Sequence, residues 1–265
     1  MLRNLVALFL LAALLSGCGS STPGIQKLPG DETDFAQAKK VYEDGDYLRT
    51  VELLTAYVDA HPGSNRLDEA LLMLGLSHER TGSNLLAVDD FNRLVRDFPQ
   101  SPFREEAEYE RANSHFQESL GPALDPENTE TALDLMKAYL LRYPQGAYRE
   151  KAEATVDQCL EKLALKAYLN AQTYLRLKQD QAALIYLEKA IETKPEFRQA
   201  GNALADAARA HLRSGEKDKA RDAWARLLTF ATPERTRADR GLAALRREAE
   251  GELERLGPGG GESAP

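Results

Sequence analysis

The chain has 265 residues, enough to bury a sizeable core in one long domain or two smaller ones. Hydrophobic residues make up 43% of it, so most of the chain is expected to fold. The formal net charge of −8 argues against a nucleic-acid binder, because such a protein carries a basic patch or stripe.

The N-terminus has the pattern of a bacterial lipoprotein signal peptide. A short basic region, 1–4, precedes an apolar run, 5–15, which is too short to span a bilayer comfortably. The sequence LSGC at 15–18 then resembles the lipobox, in which small residues let the peptidase reach the backbone and the cysteine thiol accepts diacylglycerol. We therefore predict a signal peptide over 1–17 and a lipid on Cys18. An ordinary signal peptide with an incidental cysteine is the alternative.

Residues 18–30 are predicted to form a flexible tether, because the stretch after Cys18 is rich in glycine, serine and proline. Each buried CH₂ of an acyl chain contributes roughly 0.8 kcal/mol, so the acyl chains of a lipoprotein hold it stably on a membrane. Residue 19 is glycine, whereas aspartate at this position commonly retains lipoproteins at the inner membrane. By that resemblance the predicted location is the outer membrane, with the folded part in the periplasm.

From about residue 31 the sequence repeats with a period of about 37 residues. Glu69 and Glu106 begin similar segments that both end in Ser-His, and Pro62 and Pro99 are separated by the same interval. Each unit has two amphipathic helical patterns and a closing proline. This pattern resembles the TPR, a helix–turn–helix unit of about 34 residues. The predicted fold class is therefore all-α, a TPR-like solenoid of about five helical hairpins.

Unit two shows most clearly why these residue types recur. Gly75 on its first helix allows a close crossing, and Ala87 followed by Phe91 on the second supplies a small residue and then a large one to fill the neighbouring hole. Pro99 then ends the second helix. The corresponding residues elsewhere are Ala38 and Leu54 in unit one, Ala171, Ala183, Leu187 and Pro195 in unit four, and Ala208, Ala220, Trp224 and Pro233 in unit five.

Two irregularities divide the repeats. Eight extra residues at 121–128 are predicted to form a loop between the paired helices of unit three. The stretch from Tyr148 to about Leu177 contains neither glycine nor proline and predicts one long helix that joins two halves of the solenoid. We therefore predict units one to three at 31–145, units four and five at 146–250, and a disordered tail at 251–265, which is low in complexity after Leu256.

The sequence contains no pattern typical of catalysis. It has no glycine-rich phosphate loop, no G-x-S-x-G and no CxxC, and its histidines fall in different units. We read His78 and His115, which occupy the same repeat position, as structural residues. Cys159 lies at helical spacing among apolar residues and is predicted to be a small buried hydrophobe rather than a reactive thiol. We predict no enzyme activity, no cofactor and no metal site.

A TPR stack presents a concave groove lined by the first helix of each unit. Exposed aromatic and aliphatic side chains beside an arginine suit an extended peptide with apolar side chains and perhaps a carboxylate. For each of these positions, packing against a neighbouring unit is the alternative reading. The predicted groove residues are Phe35, Lys39 and Tyr42 in unit one, Leu72, Leu76, Glu79 and Arg80 in unit two, and Tyr109, Asn113 and Phe116 in unit three.

Taken together, the lipobox, the short tether, the interrupted third unit and the long bridging helix resemble the BamD family of outer membrane assembly lipoproteins. The stretch ALDLMKAYLLRYP at 132–144 looks like that family's third unit, and CLEKLALKAY at 159–168 followed by Tyr174 looks like its long fourth-unit helix. The resemblance covers Cys18 to about Arg247. It implies that units one to three bind C-terminal signals of unfolded β-barrel precursors. It also implies that units four and five dock on a BamA-type barrel subunit, alongside other lipoproteins of the assembly complex.

Other functions remain open at the level of sequence. A periplasmic TPR lipoprotein could instead be an adaptor that recruits cell-wall hydrolases or proteases, or it could have a structural role at the cell wall. A coordinator of the Tol–Pal type would show an N-terminal coiled coil, whereas these repeats start almost directly after the tether. A hydrolase with attached TPR units would need a second domain, and five units account for nearly the whole chain after the tether.

Overall fold

The computed structural model describes residues 30–257. The predicted signal peptide, Cys18, the tether up to residue 29 and the end of the predicted tail lie outside the described residues. Within the described range there are twelve α-helices and no β-strand. The helices are α1 (Asp31–Glu43), α2 (Tyr47–Ala60), α3 (Leu67–Arg80), α4 (Asn84–Asp97), α5 (Arg104–Glu118), α6 (Glu127–Arg142), α7 (Arg149–Arg176), α8 (Asp180–Thr193), α9 (Ala200–Arg213), α10 (Lys217–Phe230), α11 (Pro233–Ala238) and α12 (Arg240–Leu256).

The helices pair in chain order into five antiparallel hairpins. These are α1 with α2, α3 with α4, α5 with α6, the second half of α7 with α8, and α9 with α10, and the second helix of each hairpin also packs on the first helix of the next. The prediction of an all-α, TPR-like solenoid of about five repeats is confirmed. Units one to five are these hairpins, and α11 and α12 follow them.

The turn inside a hairpin repeats the same backbone geometry in four units. Gly45, Gly82 and Gly215 have φ values of 81°, 77° and 77°, which lie in the left-handed region that favours glycine. Lys178 holds the corresponding place in unit four with φ 57°. Unit three differs, because the loop between α5 and α6 replaces this turn. The predicted insertion is therefore present, with its end shifted, since α6 already begins at Glu127.

The predicted small-to-large packing of unit two is present. A Cβ added at Gly75 would lie 2.5 Å from Cε1 of the Phe91 ring, so only glycine lets α3 and α4 approach this closely. Phe91 itself is fully buried. Trp224, the predicted large residue of unit five, is also fully buried.

The long helix α7 takes part in two separate cores. In its first half, Ala152 packs with residues of α5 and α6, and Cys159 packs with Ala132 and Leu133 of α6. In its second half, Ala164 and Ala171 belong to the core of units four and five. The predicted bridging helix is confirmed.

Cys159 is confirmed as a small buried hydrophobe. Its side chain is 0% exposed, and burial raises the pKa of its thiol to about 11. The thiol therefore stays protonated at neutral pH, where a reactive cysteine would need to ionise.

The boundary predicted at residue 250 is wrong. Helix α12 continues to Leu256, so residues 251–256 are folded rather than part of a disordered tail. The reason is packing: Leu242 is buried against the core of units four and five, and Leu245, Leu253 and Leu256 pack on the same core. Pro233, predicted only as a closing residue, also begins α11, where a proline at the first helical position costs no hydrogen bond.

Candidate functional site

Three of the predicted groove residues have buried side chains. Phe35 and Leu72 are 2% and 6% exposed and belong to the core of units one and two. Tyr109 is 6% exposed and its ring stacks on Tyr148 at 4.7 Å between centroids. These three side chains pack between helices, so they contribute little surface to a groove in this conformation.

Four other predicted residues meet at one pocket. Leu76, Glu79 and Arg80 of α3 face Asn113 of α5 across a cavity of about 470 Å³. We call this cavity the α3–α5 groove. Its full lining is Leu76, Glu79, Arg80, Asn84, Glu110, Asn113 and Gln117.

The remaining predicted residues lie around this groove. Lys39 of α1 forms a 2.7 Å ion pair with Glu69 of α3, which ties the first two units together. Tyr42 is half-buried, with its ring 5.8 Å from that of Tyr47. Phe116 lies 5.3 Å from the Lys162 ammonium and packs against the middle of α7, so α7 partly covers it.

Three residues that line the groove were not among the predicted groove residues. Glu110 and Gln117 could have been found, because they lie three before and four after Asn113 and so share its helix face. Asn84 could not, because it begins α4, the second helix of unit two. It reaches the groove through a 2.9 Å hydrogen bond that its amide donates to Glu118 of α5.

Two carboxylates of the groove are poorly solvated. Burial raises the pKa of Glu110 to about 7, and the negative charge of Glu79 adds to this shift. Burial also raises the pKa of Glu79. Neutral hydrogen bonds oppose both shifts: Glu79 accepts one from Ser114 at 2.6 Å, and Glu110 accepts one from Asn113 at 3.1 Å. Asn113 also lowers the pKa of Glu79. The pair therefore holds a negative charge that the surrounding groups only partly stabilise.

The cations near the groove are engaged with aromatic rings. The Arg80 guanidinium lies 5.8 Å from the centre of the Tyr47 ring, and the Lys151 ammonium lies 5.5 Å from that of Tyr148. Their charges lower the pKa of the nearby groove carboxyls without reversing the rise. Within residues 30–257, no ion pair joins Glu79 or Glu110 to a basic side chain.

A third acidic residue of the same region has the opposite environment. Glu108 is 4% exposed and sits between two guanidinium groups: Arg104 donates to it at 2.8 Å, and Arg142 donates to the same oxygen. This buried charge is compensated. Two arginines therefore neutralise Glu108 on the buried face of α5. Glu110, on the groove face of the same helix, receives only a neutral hydrogen bond.

The histidines have local hydrogen-bond partners. His78 Nδ1 is 2.7 Å from Asp90 and His115 Nδ1 is 3.0 Å from Asn128, so both join the two helices of their own hairpin. This agrees with a structural role. In the described part of the chain, no three His, Cys, Asp or Glu residues are grouped to hold a metal ion. None of its helices is both long and apolar enough to cross a membrane.

The C-terminal half presents a different surface. Asp206 of α9 accepts hydrogen bonds from Gln172 of α7 at 2.6 Å and from Arg209 at 3.0 Å. Arg209 also pairs with Glu248 of α12 at 2.5 Å. Each of these charged side chains therefore has an oppositely charged partner, whereas Glu79 and Glu110 of the α3–α5 groove receive only neutral hydrogen bonds. A cleft of about 400 Å³ lies beside Phe230 at the end of this half, with Leu242 and Leu245 in its lining.

Similarity to known proteins covers most of the chain. The family model described as YfiO, outer membrane lipoprotein, matches residues 31–227. The outer membrane protein assembly factor BamD of Caulobacter vibrioides is 26% identical over 229 residues, covering 82% of this chain and 72% of that protein. BamD of Vibrio cholerae is 23% identical over 202 residues, covering 72% and 83%. A solved tetratricopeptide repeat protein from Parabacteroides merdae superposes with a TM-score of 0.38 at 15% identity, covering 85% of this chain and 78% of that one.

Proposed function

Because this chain belongs to the YfiO family of outer membrane lipoproteins, we propose that it is an assembly factor for outer membrane proteins. In this proposal a lipid on Cys18 holds the protein at the outer membrane, and the solenoid faces the periplasm. The observation that carries the proposal is the family match over 31–227, which includes every helix of the α3–α5 groove. Both curated relatives are named as assembly factors of this kind.

Units one to three bind the unfolded precursor in this proposal. An extended polypeptide exposes backbone N–H and C=O groups that need partners once water is displaced. The side-chain amides of Asn84, Asn113 and Gln117 offer both donors and acceptors around one cavity. Leu76 adds an apolar contact for a client side chain. These features support a peptide as the ligand of the α3–α5 groove.

Units four and five bind the BamA-type barrel subunit in this proposal. Their inner surface is occupied by the network around Asp206, so an extended peptide has fewer free groups to engage there. The cleft beside Phe230 combines apolar Leu242 and Leu245 with the guanidinium groups of Arg198 and Arg235. A mixed surface of this kind suits a folded partner, since interface cores favour aromatic and arginine side chains.

The experiment is affinity purification of the tagged, lipidated protein from its own envelope, with mass spectrometry of the co-purifying proteins. We expect a BamA-type barrel at near-stoichiometric level. Arg235→Glu, which changes a residue lining the cleft, should lower its recovery. Arg237→Glu on the same short helix is the matched control, because Arg237 is exposed and does not line the cleft.

One outcome would overturn the assembly function, and another would overturn only the docking surface. If cell-wall hydrolases or proteases co-purify and no barrel does, the protein is an adaptor for those enzymes instead. If the barrel is recovered equally with Arg235→Glu and with the unchanged protein, the assembly function stands and the cleft beside Phe230 is not the docking surface.

A further inference from the structure

The α3–α5 groove has an electrostatic imbalance that its own residues do not correct. Glu79 and Glu110 line the cavity and receive only neutral hydrogen bonds, from Ser114 and Asn113. The described residues compensate Glu108 on the same helix with two guanidinium groups. Within residues 30–257, no cation is therefore paired directly with Glu79 or Glu110, although Arg80 lines the same cavity.

A bound cation would gain more here than on an open surface. The two carboxylates are partly removed from water, where charge-assisted hydrogen bonds are stronger than those between neutral groups. Arg80 lines the cavity and its charge lowers the pKa of Glu79, but its guanidinium lies over the Tyr47 ring, and the Lys151 ammonium lies over that of Tyr148. Among the residues that the structure describes, 30–257, neither of these cations forms an ion pair with Glu79 or Glu110. The amides of Asn84, Asn113 and Gln117 surround the same cavity and suit the backbone of the segment that carries the cation.

We propose that the α3–α5 groove selects extended client segments that carry a lysine or arginine side chain, whose positive end binds between Glu79 and Glu110. This inference rests on the proposed function and adds a charge requirement to it. It differs from the expectation that the ligand presents a carboxylate, because an anion would meet two uncompensated acidic groups at this position.

The test uses the lipidated full chain in detergent and synthetic peptides of twelve residues. One peptide alternates apolar and polar residues and has a single central lysine. The matched peptides carry N-acetyl-lysine or glutamate at that place. We expect the lysine peptide to bind at least about tenfold more tightly than the acetylated one, by fluorescence anisotropy. Glu110→Gln should remove most of this difference, and Glu192→Gln, an equal charge change on the exposed face of α8, should not.

The pH dependence supplies a second, independent readout. The pKa of Glu110 is about 7, so its carboxylate is largely lost between pH 8 and pH 6 while lysine stays charged. Affinity for the lysine peptide should therefore fall by up to about tenfold over that range. The other titratable and charged groups that face the groove are Tyr42 of α1, Glu79 and Arg80 of α3, Glu106, Tyr109 and Glu118 of α5, and Tyr148 and Lys151 of α7.

The outcomes separate this inference from the proposed function. If the lysine and acetyl-lysine peptides bind equally well, the charge requirement is wrong and peptide binding by the groove stands. If affinity rises as the pH falls, protonated Glu110 donates to a client carbonyl instead, and the inference is again wrong. If none of the three peptides binds, peptide binding by this groove fails as well. Thermal unfolding followed by circular dichroism confirms that each variant is folded.

Discussion

At the scale of single residues, the stability of the protein depends on side chains whose size or charge is fixed by close neighbours. Gly75 is such a residue, because the Phe91 ring occupies the volume that any Cβ would need. Phe91 is fully buried, so it has no free space into which to move. The same contact sets the distance between α3 and α4 beside the α3–α5 groove.

Gly75→Ala should therefore destabilise the protein. Overpacking costs about 1–3 kcal/mol, and the better helix propensity of alanine offsets part of this, which leaves a loss of about 1–2 kcal/mol. Urea unfolding followed by circular dichroism measures the change. Gly63→Ala is the control, since a Cβ there has nothing within 4 Å, and its effect should stay within about 0.5 kcal/mol. Equal effects of the two substitutions would contradict the packing argument.

Glu110 should make the folded protein less stable as the pH rises, which is the opposite of the effect of a carboxyl whose pKa is lowered by folding. Its folded-state pKa of about 7 lies above its ordinary value of 4.5, so the folded protein binds the extra proton between these pH values. Its contribution to the free energy of unfolding therefore falls as the pH rises from 4.5 to 7. Glu110→Gln should stabilise the protein at pH 8 by about 1 kcal/mol after allowance for solvent screening, and much less at pH 4.5. Urea unfolding at both pH values checks this, and equal effects at both would show that the carboxyl is not perturbed.

At the scale of elements, α12 shows how a solenoid ends. Its apolar face covers the last hairpin, where Leu242 lies so close to Gly201 that a Cβ on the glycine would be 2.7 Å from Leu242 Cδ1. Asp239 caps the helix by accepting from the Leu242 backbone N–H at 3.0 Å. A terminal element of this kind keeps the core of the last repeat away from water.

Leu242→Asp should uncover this core. The substitution removes the apolar contacts of a buried leucine and places a charge against Gly201 and Phe230, so we expect a loss of at least about 3 kcal/mol in the free energy of unfolding. Ala244→Asp is the matched control, because Ala244 is exposed on the same helix and should change stability by less than about 0.5 kcal/mol. Fluorescence of Trp224, the only tryptophan, follows unfolding of this half directly. An unchanged midpoint for Leu242→Asp would show that α12 does not stabilise the solenoid.

At the scale of the whole molecule, the long helix α7 joins the N-terminal and C-terminal halves of the solenoid. Units one to three and units four and five have separate cores, and the 28 residues of α7 contribute to both. In repeat proteins each unit is stabilised by the interfaces that it shares with its neighbours. The continuity of α7 therefore fixes the α3–α5 groove relative to the cleft beside Phe230.

Gln158→Pro should weaken this coupling. Proline in a helix interior costs about 3 kcal/mol and breaks the backbone ladder, and Gln158 is exposed near the point where α7 passes from one core to the other. In the unchanged protein we expect Trp224 fluorescence and circular dichroism to report one coincident transition in urea. In Gln158→Pro the two should separate, because Trp224 reports only the C-terminal half. Gln158→Ala keeps the helix and serves as the control. Coincident transitions in both variants would mean that the halves are coupled by other contacts.

Local patterns were sufficient to predict the repeats, the long helix, the Gly75–Phe91 pair and the burial of Cys159. Each of these depends on spacing along one or two adjacent helices, and a period of about 37 residues preserves that spacing from unit to unit. The membership of the groove was predicted only in part. Phe35 is buried although its position in the repeat matches the groove. The position in the repeat predicts which face of the helix a side chain occupies, but not whether a neighbouring helix covers that face.

The tertiary structure alone decided three features of this protein. It brought Asn84 of α4 to a cavity formed mainly by α3 and α5, and it placed Glu79 close enough to Glu110 to raise the pKa of Glu110. It also showed that the chain stays folded to Leu256, because the core that α12 covers is assembled from α9 and α10. Helix type and repeat length follow from short-range periodicity. Burial and charge compensation depend on contacts between residues that are tens of positions apart, so they are defined only once the helices have packed.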